Sequence, residues 1–289
     1  MKSTKVLEDV TVNLLKMAVT SLPEDVLEAL RLAEREETSE IARTQLRAIL
    51  ANVASADRLA LPMCQDTGIP IFFVRGKCLP HLEEGIRRGV SRATSEIPLR
   101  PNVVHPLTRH NPGDNLGKGM PYMHIELADL EYTEITVLPK GAGSENMSAL
   151  AMLTPAQGVK GIKSFVLDTV VRAGGNPCPP TIIGVGIGGS ADEALFISKK
   201  ALLHPLNKEN PDPVLAKLED ELKEALNATG IGPMGLGGRT TVLGVRVEEA
   251  HCHTASLPVA VTIQCWAGRR ASARIMKDGS VTYYKEGLG

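Results

Sequence analysis

The sequence predicts a mixed α/β fold, in which a helical N-terminal region is followed by a mixed sheet with flanking helices. Apolar residues recur at helical spacing over residues 6–60, whereas short runs rich in Val, Ile and Thr, bounded by turn residues, dominate the last third. The hydrophobic content of 43% in 289 residues is enough to form a large core. These observations together indicate a folded α/β protein.

The later elements follow from periodicity and from turn residues at their ends. Helices are predicted at residues 158–171, 191–203 and 214–228. Strands are predicted at residues 69–74, 135–138, 181–185, 241–247, 259–266, 271–276 and 281–284, and the last two are joined at Lys277-Asp278-Gly279, a hairpin signal. Residues 101–121 form a long loop rich in Pro, Gly, Asn and His. No repeat or linker marks a boundary, so we expect one domain over residues 1–289.

Charge and hydropathy exclude several classes of function. The formal net charge is −1 and no block of like charges occurs, which argues against a nucleic-acid or membrane-surface partner and favours a small ligand. No apolar stretch is long enough to span a bilayer, and charged residues such as Lys5, Glu8 and Asp9 interrupt the N-terminal region, unlike a signal peptide. We therefore expect a cytoplasmic protein.

The cysteines are the most informative residues. The sequence has five: Cys64, Cys78, Cys178, Cys252 and Cys265. Their odd number disfavours a disulfide framework. No C-x-x-C or H-x-x-x-H pair occurs that would indicate a zinc site. Any one buried cysteine is usually a small core residue. Cys64 and Cys178, however, lie in turn-forming sequence rich in proline, whereas Cys265 lies in an apolar stretch that would pass for core. Three thiolates on an iron–sulfur cluster would leave one iron open for catalysis.

Three motifs resemble the alpha part of the iron–sulfur hydro-lyases, the class I fumarases and tartrate dehydratases. These are Pro62-Met63-Cys64-Gln65-Asp66-Thr67-Gly68, Lys140-Gly141-Ala142-Gly143-Ser144-Glu145-Asn146 and Cys178-Pro179-Pro180, and the segment His253-Thr254-Ala255-Ser256-Leu257-Pro258 leading to Cys265 and Arg269 is similar to a fourth. The resemblance spans nearly the whole chain.

The resemblance implies a site and a cofactor. Cys64, Cys178 and Cys265 would bind a [4Fe–4S] cluster, with Cys78 and Cys252 uninvolved and with the cysteine loops converging on one edge of the sheet. The remaining site residues would bind the substrate or handle protons: Gln65, Asp66, Arg100 and Gly143 as substrate ligands, and Asp66 and His253 as catalytic residues, the main base lying elsewhere.

The resemblance also implies a partner. The single-chain members have a further beta domain that is missing from residues 1–289, so we expect a separate beta subunit, with an alpha–alpha homodimer inside a heterotetramer. The loop from Lys140 to Met147 looks more like the fumarases that hydrate fumarate to malate. L-tartrate dehydration to oxaloacetate is the alternative, and a non-enzymatic iron–sulfur sensor or assembly protein is a further one, although it would leave Gln65, Asp66 and Arg100 idle.

One glycine pattern suggests a different function. Gly184-Val185-Gly186-Ile187-Gly188-Gly189 fits the dinucleotide fingerprint and follows a predicted strand. Polar, turn-rich sequence at residues 207–213 leaves no second strand directly after the helix, and Glu209 then has no strand on which to lie. Close packing is therefore the favoured explanation of these glycines.

Overall fold

A computed structural model describes residues 2–285, and within them the chain divides into two compact units. The first comprises residues 2–24, 52–142 and 269–285, and the second comprises residues 25–51 and 143–268. The helices are α1 Lys2–Thr20, α2 Glu24–Glu36, α3 Glu40–Leu59, α4 Leu82–Glu96, α5 Ala142–Glu145, α6 Gly158–Ala173, α7 Ala191–Ala201 and α8 Pro213–Asn227. The strands are β1 Ile69–Gly76, β2 Tyr122–Leu127, β3 Tyr132–Lys140, β4 Ala149–Leu153, β5 Thr181–Gly188, β6 Val242–Ala250, β7 Leu257–Gln264, β8 Ala271–Met276 and β9 Val281–Tyr284.

The first unit is built on a five-stranded sheet, as far as residues 2–285 are described, in the order β2-β1-β3-β8-β9. β1 runs parallel to β2 and antiparallel to β3, and the remaining pairs are antiparallel. Helices α1 and α4 pack against each other, and α1 covers β3 and β8. Their apolar side chains form one core with those of the sheet, including Leu14, Phe72 and Ile135, which are fully buried. This burial of a continuous apolar face is the main source of the unit's stability.

The second unit is built on a four-stranded sheet of the described residues, in the order β4-β7-β5-β6. β5 is parallel to β6 and antiparallel to β7, and β4 is antiparallel to β7. Helix α7 packs on β5 and β7, and α8 packs on β6. Ile183, Val185 and Val261 are fully buried at the centre of the sheet, as near-continuous apolar strands covered by helices should be.

The predicted fold class is confirmed, because the chain is mixed α/β with a helical N-terminal region and two mixed sheets. The predicted strands at 271–276 and 281–284 match β8 and β9, and they pair antiparallel around Gly279, whose φ of 86° suits the hairpin turn. Strand β7 ends at Gln264, earlier than predicted, so Cys265 lies just beyond the strand. No element was predicted for α4, β2 or β4.

The glycine pattern after residue 183 packs against a helix. A Cβ atom at Gly184 would lie 2.0 Å from the carbonyl oxygen of Ser198, and one at Gly186 would lie 2.1 Å from that of Ala194, both on α7. Close packing is thus what these glycines permit. The prediction that no second strand follows was wrong, however, because β6 comes after α7 and α8 and pairs parallel with β5.

Within the part of the chain that the structure describes, no helix combines the length and the apolar character that crossing a bilayer requires.

Candidate active site

The segment that carries Cys64 and Gln65 is a turn between α3 and β1, in the first unit. Met63, directly before it, is buried, and its backbone is held on both sides: its N–H donates to the carbonyl of Val19 at 2.9 Å, and its carbonyl accepts from the Asn52 side chain at 2.7 Å. Cys64 is half-buried and Gln65 is exposed. The turn therefore presents these two side chains from a fixed backbone.

The carboxylate of Asp66 accepts three hydrogen bonds from the surrounding loops. Oδ1 accepts from the N–H of Gly68 at 3.0 Å and from Nδ2 of Asn102 at 3.1 Å, and Oδ2 accepts from the N–H of Ala142 at 2.8 Å. Hydrogen bonds to an ionised acceptor are stronger than neutral ones. Asp66 thus connects the cysteine turn, the loop after α4 and the end of β3. Its role in proton transfer stays a prediction.

Arg269 supports the same turn from within the protein. Its side chain is 1% exposed, and Nη1 donates to the backbone carbonyl of Asp66 at 2.9 Å. A Cβ atom at Gly141 would lie 3.1 Å from Oδ2 of Asp66 and 3.5 Å from Nη2 of Arg269, so the absence of a side chain lets both groups close over this backbone. A buried arginine requires such partners, because an unpaired buried charge is costly.

Arg100 has a fixed backbone and a free side chain. Its N–H donates to the hydroxyl of Thr67 at 3.0 Å, and its carbonyl accepts from Nδ2 of the buried Asn115 at 3.2 Å. Its side chain is exposed and forms no ion pair with the described residues. A guanidinium in this setting can bind a carboxylate through two parallel hydrogen bonds.

Cys178 and Cys265 belong to the second unit, where their segments are hydrogen-bonded to each other. The N–H of Trp266 donates to the carbonyl of Cys178 at 3.2 Å, which connects the turn before β5 to the residues just after β7. Cys178 has a φ of 56°, in the left-handed region, and its N–H donates to Gly175 at 3.1 Å. A left-handed non-glycine residue is uncommon and indicates a tightly specified turn. Both cysteines are half-buried.

Gly143 and His253 also lie in the second unit. A Cβ atom at Gly143, within α5, would lie 3.4 Å from the carbonyl oxygen of Asn176, on the turn that leads to Cys178. His253 is exposed in the turn between β6 and β7, and its Nδ1 accepts from the N–H of Ala255 at 3.1 Å. That bond restrains the orientation of the ring.

None of the five cysteines forms a disulfide, and Cys78 and Cys252 are exposed. Among the described residues, no three His, Cys, Asp or Glu side chains are grouped as ligands of a single metal ion. In a four-iron cluster each thiolate binds a different iron atom, and half-buried cysteines that form no disulfide suit that chemistry.

The structure adds four residues to the predicted site: Thr67, Asn102, Asn115 and Arg269. Each acts on a predicted site residue: Asn102 and Arg269 donate to Asp66. Thr67 and Asn115 bind the backbone of Arg100. One sequence signal was available. Two successive arginines, Arg269 and Arg270, precede a buried strand, and both are at most 2% exposed.

The comparisons with known proteins all lead to hydro-lyases. The family described as Fumarate hydratase (Fumerase) matches residues 8–274. A protein of Methanocaldococcus jannaschii with the provisional name L(+)-tartrate dehydratase subunit alpha is 51% identical over 95% of this chain and 99% of its own length. The L(+)-tartrate dehydratase subunit alpha of Escherichia coli is 36% identical, and that of Shigella sonnei 35%, each over 94% of this chain and 91% of its own. The chain therefore belongs to the fumarate hydratase (fumerase) family and is a hydro-lyase, an enzyme that breaks or forms a carbon–oxygen bond with loss or addition of water.

Proposed function

We propose that this chain is the alpha subunit of a two-subunit L(+)-tartrate dehydratase, which removes water from tartrate to give oxaloacetate. The similarity to the Methanocaldococcus jannaschii protein, 51% identical over nearly its whole length, is the observation that supports this substrate best. The names of the two bacterial relatives point the same way. The sequence pattern alone favoured fumarate, so the comparisons reverse the order of the two candidates.

Hydration of fumarate to malate is the second candidate. It is favoured by the loop from Lys140 to Met147, which resembles that of the two-subunit fumarases, and by the description of the matching family. Malate differs from tartrate by one hydroxyl group. A site built to hydrogen-bond that hydroxyl discriminates strongly against a substrate that lacks it, whereas a site without such a partner discriminates weakly.

We propose Cys64, Cys178 and Cys265 as the ligands of a [4Fe–4S] cluster. Thiolates are the usual ligands of such clusters, and all three residues are half-buried and form no disulfide. A cluster held by three thiolates supplies, when bound, an iron with an open position that acts as a Lewis acid toward a hydroxyl leaving group. The remaining steps depend on protein side chains.

The substrate would be bound by the residues on the ordered turns. Arg100 would hold one carboxylate with its free guanidinium, and the exposed Gln65 would orient the substrate. Gly143 would allow a carboxylate to approach the backbone. Asp66, whose carboxylate is oriented by three donors, and the exposed His253 would take part in proton movement.

The partner would be the beta subunit of the same enzyme, because the relatives are named as alpha subunits. This subunit would supply the main base and further cationic substrate ligands. An alpha–alpha homodimer within a heterotetramer is the assembly that we propose. We also propose a cytoplasmic location, on the basis of the charge and the hydropathy of the sequence.

The test uses the full chain co-expressed with its beta subunit and reconstituted with iron and sulfide without oxygen. We expect turnover of L-tartrate to exceed that of L-malate and fumarate. Preference for malate or fumarate would favour the second candidate, and absence of hydratase activity toward all three, at full iron content, would refute the enzymatic proposal.

The cluster ligands are tested by iron content. Ser in place of Cys64, Cys178 or Cys265 should each reduce bound iron well below the roughly four atoms expected per chain. Cys78→Ser is the matched control, since Cys78 is free but exposed, and it should keep the wild-type iron content. Equal iron in all four variants would refute the assignment.

A further inference from the structure

Gln264 is a buried glutamine beside a proposed cluster ligand. It is the last residue of β7, an inner strand of the second sheet, and its side chain is 1% exposed. Its side-chain Nε2 donates to the carbonyl of Ala267 at 2.8 Å and lies 3.5 Å from Sγ of Cys265, within hydrogen-bonding distance for sulfur. One amide group thus shapes the turn that carries Cys265 and also faces its sulfur.

The other end of the same amide has no partner. Oε1 of Gln264 is buried and accepts no hydrogen bond from the described residues. An unsatisfied buried polar atom is destabilising, so the hydrogen bonds donated by the Nε2 end are formed at the expense of an unpaired Oε1. The amide nitrogen carries two N–H groups, so one can hold the carbonyl of Ala267 while the other is available to the sulfur of Cys265.

The thiol form and the thiolate form of Cys265 use this environment differently. The thiol donates weakly to the carbonyl of Ala267, with a sulfur–oxygen distance of 3.9 Å. A thiolate bound to iron has no proton to donate, so the N–H of Gln264 would become its hydrogen-bond partner within this turn. Hydrogen bonds to the sulfurs stabilise the more negative, reduced state of a cluster and so affect its reduction potential.

We infer that Gln264 is a positioning residue for Cys265, and that its N–H···S hydrogen bond raises the reduction potential of the bound cluster. The inference rests on the proposed ligation of the cluster by Cys265. Gln264 pairs with Ile182 of β5, so the donor is held on a strand of the sheet, which suits a precise contact to the sulfur.

The test replaces the donor with an apolar side chain of similar length. Gln264→Met, in the reconstituted full chain with its beta subunit, should keep the cluster but lower the reduced-to-oxidised ratio about tenfold at a fixed potential, which is 59 mV for one electron. Thr262→Val is the control. It removes a buried hydrogen bond, Thr262 to Ser198 at 2.7 Å, on the same strand but away from Cys265, and should leave the ratio unchanged.

A second measurement needs no substitution at Gln264. In wild-type protein labelled with ¹⁵N in glutamine side chains, the reduced cluster should show a magnetic coupling to an amide nitrogen, and the coupling should persist in Gln65→Ala. An unchanged ratio in Gln264→Met with full iron, or the absence of this coupling, would overturn the inference while leaving the cluster assignment intact. Full iron in Cys265→Ser would instead refute the proposed ligation, so the two failures are distinguishable.

Discussion

Asp66→Asn tests whether the Asp66 carboxylate holds the three loops together independently of catalysis. The wild-type carboxylate accepts from Gly68 and Asn102 on one oxygen and from Ala142 on the other. In the variant, the amide NH₂ group must face one of these donors, because an amide has only one acceptor oxygen. At least one hydrogen bond is lost, and the others lose their charge assistance.

The size of the effect follows from these contacts. A hydrogen bond to a charged group contributes about 1.5–3 kcal/mol, and Asp66 is only half-buried, so the lower end of this range applies. For a protein of this size, 1 kcal/mol shifts Tm by about 2–4 °C. We therefore expect Asp66→Asn to lower the Tm of the cluster-free chain by about 3–6 °C.

The assay is thermal unfolding of the cluster-free chain, followed by circular dichroism. Asp278→Asn is the control, since Asp278 also accepts from a backbone N–H and a hydroxyl, both of Ser280, but in an exposed turn. Its Tm should be close to that of the wild type. Equal Tm values for Asp66→Asn and Asp278→Asn would refute the structural role assigned to the Asp66 carboxylate.

Three further predictions concern substrate binding, acid stability and packing. Arg100→Lys should raise KM for the dicarboxylate about tenfold, because the paired guanidinium hydrogen bonds are lost. Arg109→Lys, a change at another exposed arginine, should leave KM unchanged. Steady-state kinetics of the reconstituted alpha and beta subunits would measure this, and equal KM values for the two variants would contradict the assignment. Burial opposes ionisation of Glu37, but backbone N–H groups, led by that of Ser39, hold its pKa below the usual 4.5. This carboxylate therefore stabilises the fold above pH 4.5, and its contribution is lost as the pH falls through the lowered pKa. Denaturant unfolding should therefore show Glu37→Gln less stable at pH 7 and less sensitive to acid than the wild type, and an unchanged acid dependence would count against this account. Gly186→Ala should destabilise the second unit by about 1–3 kcal/mol, because the added Cβ would lie 2.1 Å from the carbonyl oxygen of Ala194. An unfolding midpoint equal to that of the wild type would show that α7 can move away at little cost.

The missed helix α4 shows why local sequence was insufficient for part of the fold. Gly85 and Gly89 lower its helix propensity, and each costs about 1 kcal/mol relative to alanine. Their value is visible only in three dimensions: a Cβ at Gly85 would lie 2.4 Å from Cβ of Leu7, and one at Gly89 would lie 2.4 Å from Cβ of Thr11, both on α1. The close packing of α1 and α4 that these glycines permit offsets their low helix propensity.

The strands show the opposite case. β8 and β9 were predicted to the residue, because their apolar pattern is bounded by turn residues that leave few alternatives. β2 has an exposed edge position and a mixed pattern, so neither periodicity nor burial marks it in the sequence. Sequence thus predicts an element well where burial and turn chemistry agree.

The site follows the same rule. Cys64, Cys178 and Arg100 were predicted from distinctive local sequence, and Cys265 was predicted from the motif that precedes it. Asn102 and Asn115 were missed, and Arg269 was named only at the end of a motif without a role. Their partners are a carboxylate or backbone groups farther along the sequence, and Arg269 and Asp66 are separated by 203 positions. Such contacts exist only after folding, and no spacing rule encodes them.

The hydrogen bond between Trp266 and Cys178 allows binding of the cluster to be followed by intrinsic tryptophan fluorescence. Trp266 is the only tryptophan of the sequence, and it lies next to Cys265 while its backbone N–H is bound to the carbonyl of Cys178. Intrinsic emission excited at the indole band therefore originates beside two of the three proposed ligands. Iron–sulfur clusters absorb broadly in the range where indole emits, so uptake and loss of the cluster can be followed as quenching and recovery of fluorescence, without a dye and in the unmodified chain.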